Sequence, residues 1–114
     1  MIAYTAPQKD MQFVLSELAD LPAITRLPGY EEVSAELVDA VLEGAATFAG
    51  EIWGPLNQVG DQQGLKRHDD GRVTTPAGFV DAYRQFVESG WNGLRFDPAF
   101  GGQGLPKLVD TAVM

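Results

Sequence analysis

The residues that most suggest chemistry are three glycines close to the carboxyl end of the chain. Gly101, Gly102 and Gly104 precede a predicted helix that starts at Pro106. Backbone N–H groups in a glycine-rich loop and at a helix N-terminus can bind a phosphate. The dinucleotide fingerprint also needs a preceding buried strand and a third glycine at fixed spacing, and a Walker motif needs Lys-Ser or Lys-Thr. Both patterns are incomplete here, so the sequence favours a tight structural turn.

A second candidate is the run His68-Asp69-Asp70, which holds the one histidine of the chain. Imidazole and carboxylate groups bind metal ions, and a histidine can act as a general base. Three consecutive side chains do not converge on one ion without a special loop, and no second histidine could complete a nucleophile triad. We interpret the run as an exposed polar turn, and we expect no metal site and no catalytic residue in this chain.

A third candidate is an acidic face on the predicted second helix, formed by Glu32, Glu36, Asp39 and Glu43. Such a face could bind a basic partner, but a solvated helix surface is its commoner role. Acyl carrier proteins are also small, acidic and helical, and they need an Asp-Ser-Leu at the head of a helix. The chain has no Asp-Ser-Leu, so we exclude that class.

Hydrophobic spacing predicts an all-α fold of about four helices joined by long loops. The predicted helices cover residues 7–20, 31–54, 76–89 and a fourth segment from Pro106. The second helix has a broad apolar stripe, which is typical of a helix that is buried against more than one neighbour. These helices would position the candidate residues described above.

Proline and glycine residues mark the predicted ends of these helices. Pro22 is expected to break the first helix and Pro55 to kink or end the second. Thr75 is the expected N-cap of the third helix and Gly90 its stop. The fourth helix is still in its apolar pattern at Met114, and we expect the sequence to be cut through a helix there.

Two long loops are predicted, over residues 57–75 and 90–105. The first has a tight turn at Asp70-Gly71, and its Arg72-Val73-Thr74 piece could be extended but has no second strand pattern to pair with. The second is rich in large apolar side chains, so we expect it to pack on another element: Trp91, Leu94, Phe96 and Phe100.

Composition limits the partners of the chain. Its 114 residues include 16 acidic and 8 basic side chains, for a net charge of −8, which argues against a nucleic-acid partner. Residues 1–57 carry a net charge of −7 and residues 58–114 a net charge of −1. No charge-free stretch exceeds nine residues, so we expect no membrane-spanning helix. The absence of cysteine excludes disulfides and is compatible with a reducing cytosol.

Several segments, taken in order, resemble one enzyme family. They are Tyr4–Pro7, Asp10–Leu15, Val33–Asp61, Thr74–Trp91 and Phe100–Pro106. The last, Phe-Gly-Gly-Gln-Gly-Leu-Pro, is the most specific. Together they are similar to the N-terminal region of flavin-dependent acyl-CoA dehydrogenases, above all the subgroup that acts on 3-methylmercaptopropionyl-CoA and related short acyl thioesters. Gln58 departs from the pattern, because arginine is expected there.

The resemblance implies a domain organisation and an activity. Residues 1–27 would be an N-terminal extension with one helix, and residues 28–114 the family's N-terminal helical domain. In the family, FAD is held by a middle β-domain and a C-terminal helical domain, which also carries the catalytic glutamate. The full-length enzyme converts an acyl-CoA to a trans-2-enoyl-CoA and passes electrons to an electron-transferring flavoprotein. We expect a cytoplasmic homo-oligomer when complete, and a 114-residue fragment that binds no FAD and is inactive.

The resemblance also suggests which residues approach the substrate. The start of the fourth helix would lie near the far end of the acyl pocket, with ordinary helix packing as the alternative role for Leu108, Val109, Thr111, Ala112 and Val113. The glycine loop, with Gly101, Gly102, Gly104 and Pro106, would be a bend that aims this helix. The alternative to the whole interpretation is a self-standing acidic helical interaction module. Exposed apolar surface would favour the fragment over the module.

Overall fold

A computed structural model describes residues 3–114, which form helices and one two-stranded sheet. The α-helices are α1 Gln8–Phe13, α2 Leu21–Thr25, α3 Ala35–Phe48, α4 Gly54–Gln63, α5 Phe79–Glu88 and α6 Lys107–Val113. Strands β1 (Lys66–Arg67) and β2 (Val73–Thr74) pair antiparallel. The all-α prediction is confirmed, with six α-helical segments instead of about four. In the described part of the chain, no helix is long and apolar enough to cross a membrane.

The first predicted helix is confirmed with small changes. A π-helical turn, Val14–Leu18, continues α1, so helical backbone covers most of residues 7–20. Pro22 does more than break this helix. It lies in the first turn of α2, where a missing N–H is tolerated, and the Asp20 carboxylate accepts the Ala23 N–H at 3.3 Å. Residues 3–6, which precede α1, lie in no helix or strand.

The second predicted helix is longer than the sequence indicated. Ser34 caps α3 by accepting the Leu37 N–H at 3.1 Å. A π-helical turn, Ala49–Trp53, then joins α3 directly to α4. Pro55 does not end the helix, because helical backbone continues from Ala35 to Gln63 and Pro55 follows the π-helical turn near the start of α4.

Residues 57–63 were also wrongly assigned to a loop, since α4 runs to Gln63. Their polar side chains and Gly60 are typical of a loop, but this glycine has a packing role. A Cβ on Gly60 would lie 2.8 Å from Cζ of Phe79, so only glycine lets the α5 ring approach this closely. At the end of α4 the Gln63 Oε1 accepts the Ala77 N–H at 2.9 Å, which ties α4 to the entry of α5.

The third predicted helix begins later than expected. α5 starts at Phe79, and its N-cap is Gly78 with φ of +87°, so the prediction of Thr75 as the cap was wrong. A Cβ on Gly78 would lie 2.8 Å from Cδ2 of Leu56, which makes glycine the residue that fits this contact. The helix ends before Gly90, whose φ of +82° confirms the predicted stop.

A short hairpin connects α4 and α5. Gly71 has φ of +87° and donates its N–H to the His68 carbonyl at 3.0 Å, which confirms the turn predicted at Asp70-Gly71. The expectation that Val73–Thr74 has no partner strand was wrong, since it pairs with Lys66–Arg67. Both strands have two residues and are exposed, so neither shows the alternating pattern that would signal a strand.

The hydrophobic core lies at one end of the molecule. It joins α2, α3, α6, the π-helical turn after α1 and the 90–105 segment through seven buried side chains: Leu15, Leu21, Val38, Leu42, Leu94, Leu105 and Val109. Residues 1–27 and the rest of the chain therefore share one core. The molecule is a slab of 54 × 35 × 18 Å with a radius of gyration of 17.0 Å, against about 13 Å for a compact 100-residue domain.

Candidate functional site

The glycine loop is closed by its own backbone. Gly101 donates its N–H to Pro98, Gly102 to Asp97, and Gly104 to Phe96, at 3.1, 3.1 and 2.9 Å. Gln103 donates its N–H to the Gly93 carbonyl at 3.0 Å. All four N–H groups of residues 101–104 are thus engaged within the 93–104 segment, and this loop offers no N–H to a phosphate.

The same loop fixes the direction of α6. A Cβ on Gly102 would lie 2.0 Å from the Phe96 carbonyl oxygen, so only glycine allows the chain to fold back here. The Arg95 guanidinium then reaches α6 and pairs with Asp110 at 3.2 Å, where the Asp110 side chain is 15% exposed. Pro106 is buried and directly precedes the helix.

The five α6 residues named above have different surroundings. Val109 is completely buried, and Leu108 and Ala112 are partly buried against the same core. Thr111 is exposed and donates its hydroxyl to the Lys107 carbonyl at 2.9 Å. Val113 touches the core and also lines a cavity at the end of the helix. α6 therefore presents Val113 to a cavity while the core holds its other apolar side chains.

This cavity, which we call the aromatic cavity, has a volume of about 810 Å³. Pockets for small molecules usually have volumes of about 300–1,000 Å³ and mostly apolar walls. Its walls come from the N-terminal segment, the α3–α4 junction, α5 and the end of α6. The lining side chains that the argument uses are Tyr4, Phe48, Trp53, Phe86, Trp91 and Val113.

The π-helical turn at residues 49–53 explains why the aromatic rings meet. Phe48 and Trp53 are five residues apart, and a π-helical turn closes i to i+5, so both rings lie on one face. Their centroids are 6.0 Å apart and edge to face. Phe86 of α5 lies 5.0 Å from Trp53 and 6.1 Å from Phe48. Trp91 completes the cluster at 6.5 Å from Phe48.

The electrostatics of the aromatic cavity are neutral. Among the described residues 3–114, its lining includes no charged side chain, and its polar lining side chains include Thr5 and Asn57. The N-terminal segment lies over a notch of small residues, since a Cβ on Gly50 would lie 3.2 Å from the Tyr4 carbonyl oxygen. Such a site can hold an uncharged apolar group by ring contacts and by exclusion of water.

The His68 run forms a polar turn in the hairpin. The His68 Nε2 lies 2.6 Å from the Thr74 hydroxyl across the two strands. The Arg72 N–H and then the Arg72 guanidinium, both bonded to the Asp70 carboxylate, lower the pKa of Asp70 below its ordinary value. No group of three or more metal-ligating side chains occurs within residues 3–114. His68 and Asp70 instead make contacts within the hairpin, with Thr74 and Arg72.

Sequence reasoning missed the aromatic cavity. The prediction that the 90–105 segment packs on another element holds for Trp91 and for the buried Leu94. It fails for Phe96 and Phe100, which are 49% and 88% exposed. The usable signal was Phe48 and Trp53 at five-residue spacing, with the small residues Ala49 and Gly50 directly after Phe48. Residues five apart point in different directions on an α-helix. The spacing therefore predicts a ring contact only if the π-helical turn is known.

Comparison with known proteins agrees with the motif resemblance. No family model matches the chain. Over 111 residues, or 97% of its length, the chain is 39% identical to a 3-methylmercaptopropionyl-CoA dehydrogenase of Ruegeria pomeroyi. The chain is thus similar to one region of an acyl-CoA dehydrogenase. It spans 19% of the length of that dehydrogenase, so the relationship concerns one part of a larger enzyme.

The acyl-CoA dehydrogenase relationship confirms the resemblance inferred from the motifs, and it agrees with the all-α fold. The match covers nearly the whole chain, so the aromatic cavity, the glycine loop and the helices around them all come from the related region.

Proposed function

We propose that this chain is the N-terminal helical region of an FAD-dependent acyl-CoA dehydrogenase and that the aromatic cavity supplies one wall of its acyl site. The observation that carries the proposal is the 39% identity to a 3-methylmercaptopropionyl-CoA dehydrogenase over 97% of the chain. The whole enzyme would remove the α and β hydrogens of an acyl-CoA thioester to give a trans-2-enoyl-CoA.

The substrate would be an acyl group with a thioether. The rings of Phe48, Trp53 and Phe86 provide apolar and ring-edge surface in the aromatic cavity, and a thioether sulfur makes favourable contacts with aromatic rings. Val113 would contact the acyl group, while Leu108, Val109 and Ala112 would position α6 through the core. A wall without charged groups would keep water from the reacting carbons.

FAD is the cofactor that the relationship implies, and the described residues do not fit its phosphates. The glycine loop bonds its own N–H groups internally, and Arg95 is paired with Asp110. We therefore derive no step through the flavin. We propose that other parts of the enzyme hold FAD and the catalytic base, so that the 114-residue chain alone is inactive. Electrons would pass to an electron-transferring flavoprotein, in a cytoplasmic homo-oligomer.

A self-standing interaction module is the weaker alternative. Glu32, Glu36, Asp39 and Glu43 are exposed, as that alternative requires, but Glu32 precedes the N-cap Ser34 and does not lie on the helix as predicted. However, the chain has 8094 Å² of accessible surface, whereas a compact monomer of 12.3 kDa would have roughly 6,100 Å². Large exposed side chains such as Trp53 and Tyr83 contribute to this excess. Exposed apolar side chains of this size support a region that other protein surface covers.

The first experiment titrates the purified 114-residue chain with FAD and follows tryptophan fluorescence. The two tryptophans of the chain, Trp53 and Trp91, both line the aromatic cavity. We expect no FAD binding and no dehydrogenase activity. A yellow protein with nearly one FAD per chain would contradict the proposal.

The second experiment replaces the matched region of the Ruegeria enzyme with this chain. We expect the chimera to bind FAD and to oxidise 3-methylmercaptopropionyl-CoA. In the chimera, Val113→Trp should raise KM for the acyl thioester at least tenfold, because the indole fills the end of the cavity. The control Leu65→Trp, at an exposed position outside the cavity, should leave KM unchanged. A folded, FAD-loaded but inactive chimera, or equal effects of both variants, would refute the assignment.

A further inference from the structure

Residues 3–5, which we call the strap, lie against the junction of α3 and α4. The Tyr4 carbonyl oxygen is 3.2 Å from the position of a Cβ on Gly50, and the Tyr4 Cβ is 3.5 Å from the position of a Cβ on Gly54. A larger residue at position 50 would press on the Tyr4 backbone, so glycine lets the two segments approach this closely. Gly50 and Gly54 together form a notch that holds Tyr4.

The strap is one wall of the aromatic cavity, since all three of its residues line it. Phe48, Phe86 and Trp91 are partly buried and form the inner part of the wall. Tyr4 is 50% exposed, so it lies at the rim, where the cavity opens to its surroundings. The cavity therefore has an inner surface of aromatic rings and a rim that includes a tyrosine.

The notch sets the position of Tyr4. Within residues 3–114, no backbone hydrogen bond joins the strap to α3, α4 or α5. Packing on Gly50 and Gly54 is thus what holds the backbone of Tyr4 in place, and closely packed surfaces transmit a displacement to one another. A side chain added at position 50 would therefore move Tyr4 outward without changing Tyr4 itself.

The length of an acyl group decides which parts of the cavity it can reach. The coenzyme A part of an acyl-CoA stays outside, because burying its phosphates in an apolar cavity is costly. The acyl group therefore enters through the rim. A short acyl group stays nearer to the rim than a long one and makes fewer contacts with the inner rings. Contact with Tyr4 is thus a larger share of the binding free energy of a short acyl group.

We propose that Tyr4 is a specificity-determining residue of the acyl site and that, held at the rim by the notch, it favours short acyl groups over long ones. The inference rests on the proposed function, in which Phe48, Trp53 and Phe86 contact the acyl group and Tyr4 has no assigned part. A tyrosine ring at the rim suits a short acyl group with a thioether, because a contact between sulfur and an aromatic ring is favourable.

The first test concerns the placement of the strap and uses the absence of native cysteine. In the 114-residue chain, Tyr4→Cys with Gly54→Cys should form an intrachain disulfide under mild oxidation, because the 3.5 Å between the two Cβ positions matches a disulfide. The control pairs Tyr4→Cys with Gly44→Cys, which lies about 15 Å away along the helix and should keep both thiols free. Thiol titration and mass spectrometry measure the result. Free thiols in the first pair, or equal bonding in both pairs, would overturn the placement of Tyr4 and the inference.

The second test measures substrate selectivity in the chimera with the Ruegeria enzyme. The readout is kcat/KM for 3-methylmercaptopropionyl-CoA divided by kcat/KM for octanoyl-CoA. Tyr4→Ala should lower this ratio about fivefold, within the roughly twofold to tenfold range of a contact between sulfur and an aromatic ring. Gly50→Val should also lower it, because the valine moves Tyr4 away from the rim. Tyr4→Phe should keep the native ratio, because it keeps the ring.

Two matched controls change residues outside the lining of the aromatic cavity. Tyr30→Ala removes the same kind of side chain elsewhere, and Glu51→Val places the same valine at the exposed position after Gly50. Both should leave the ratio unchanged. A loss of stability would lower kcat/KM for the two substrates by the same factor, so the ratio separates a role in specificity from a structural one.

The role of Tyr4 and the proposed function fail in different ways. A folded, FAD-loaded chimera that oxidises neither substrate would refute the proposed function and this inference with it. An active chimera whose ratio is unchanged by Tyr4→Ala and Gly50→Val would refute the role of Tyr4 alone. Equal changes of the ratio in Tyr4→Ala and Tyr30→Ala would refute that role as well.

Discussion

The two ends of the molecule are stabilised in different ways. The core end, built from the π-helical turn after α1, α2, α3, α6 and the 90–105 segment, contains the seven buried side chains of the core and the buried Pro106. At the α4–α5 end the buried apolar side chains are Pro76 and Ala82. There, the close contacts of Gly60 with Phe79 and of Gly78 with Leu56 hold the helices together. A cluster of partly exposed aromatic rings takes the place of a core. Burial stabilises the first end, whereas the second presents apolar surface that another protein surface can cover.

The largest expected effect comes from the core end. Leu42 is 2% exposed, and Leu42→Ala should lower the free energy of unfolding by about 3 kcal/mol, because burial is lost and a cavity remains. The exposed Leu65→Ala should change it by less than about 0.5 kcal/mol. Urea unfolding followed by circular dichroism measures both. If both variants lower the free energy of unfolding by similar amounts, burial does not stabilise the core end in the way described.

A smaller effect is expected in the glycine loop, which is also part of the core end. A Cβ on Gly102 would overlap the Phe96 carbonyl oxygen at 2.0 Å, so Gly102→Ala should destabilise the chain by about 2 kcal/mol, within the usual range for a backbone clash. Gly101 has open space and φ of +85°, and Gly101→Ala should cost only about 1 kcal/mol of left-handed strain.

Thermal unfolding of the two glycine variants gives the comparison. If Gly101→Ala lowers the melting temperature more than Gly102→Ala does, then the loop is more sensitive to left-handed backbone strain than to the close approach of residue 102 to Phe96.

The smallest effect is expected in the hairpin of the α4–α5 end. The pKa of Asp70 is lowered by the Arg72 N–H and guanidinium. A lowered pKa means that the ionised carboxylate stabilises the hairpin above the ordinary pKa of about 3.9, and that this support is lost as the pH falls through the lower, folded-state pKa. NMR titration of the carboxyl carbon should show this. Arg72→Ala should raise the pKa of Asp70 only in part, since the backbone N–H remains.

The core end has a matched carboxylate for this comparison. The pKa of Glu31 is lowered by the Gly29 N–H, which its carboxylate accepts at 3.0 and 3.1 Å. Arg72→Ala should leave the pKa of Glu31 unchanged. A shift of both carboxylates would mean that the substitution disturbs the whole chain.

The sequence was most informative where packing follows helical spacing. The stripes of α3 and α6 and the stop at Gly90 were readable because local pattern and tertiary burial agree. In the first predicted helix the agreement is weaker, since Val14 is 46% and Leu18 is 70% exposed. α4 was missed because its polar residues and Gly60 are typical of a loop, while the structure uses Gly60 for the contact with Phe79. The hairpin was missed because two-residue exposed strands carry no alternation.

The candidate site was less predictable than the fold. Motif resemblance pointed to α6, and Val113 of that helix does line the aromatic cavity. The rest of the wall depends on rings from distant segments, such as Phe86 and Trp91, which meet only after α5 and the 90–105 segment have packed. Such a cluster is set by tertiary geometry, and no local spacing encodes it.

The π-helical turn between α3 and α4 acts as a phase shift in the long helix. Successive residues of an α-helix are rotated by about 100°, so one residue fewer between Phe48 and Gly54 would turn the whole of α4 by about that angle relative to the core. Leu56 and Gly60 would then no longer face α5. The angular alignment of the two ends of the molecule is therefore set by the residue count of a single turn.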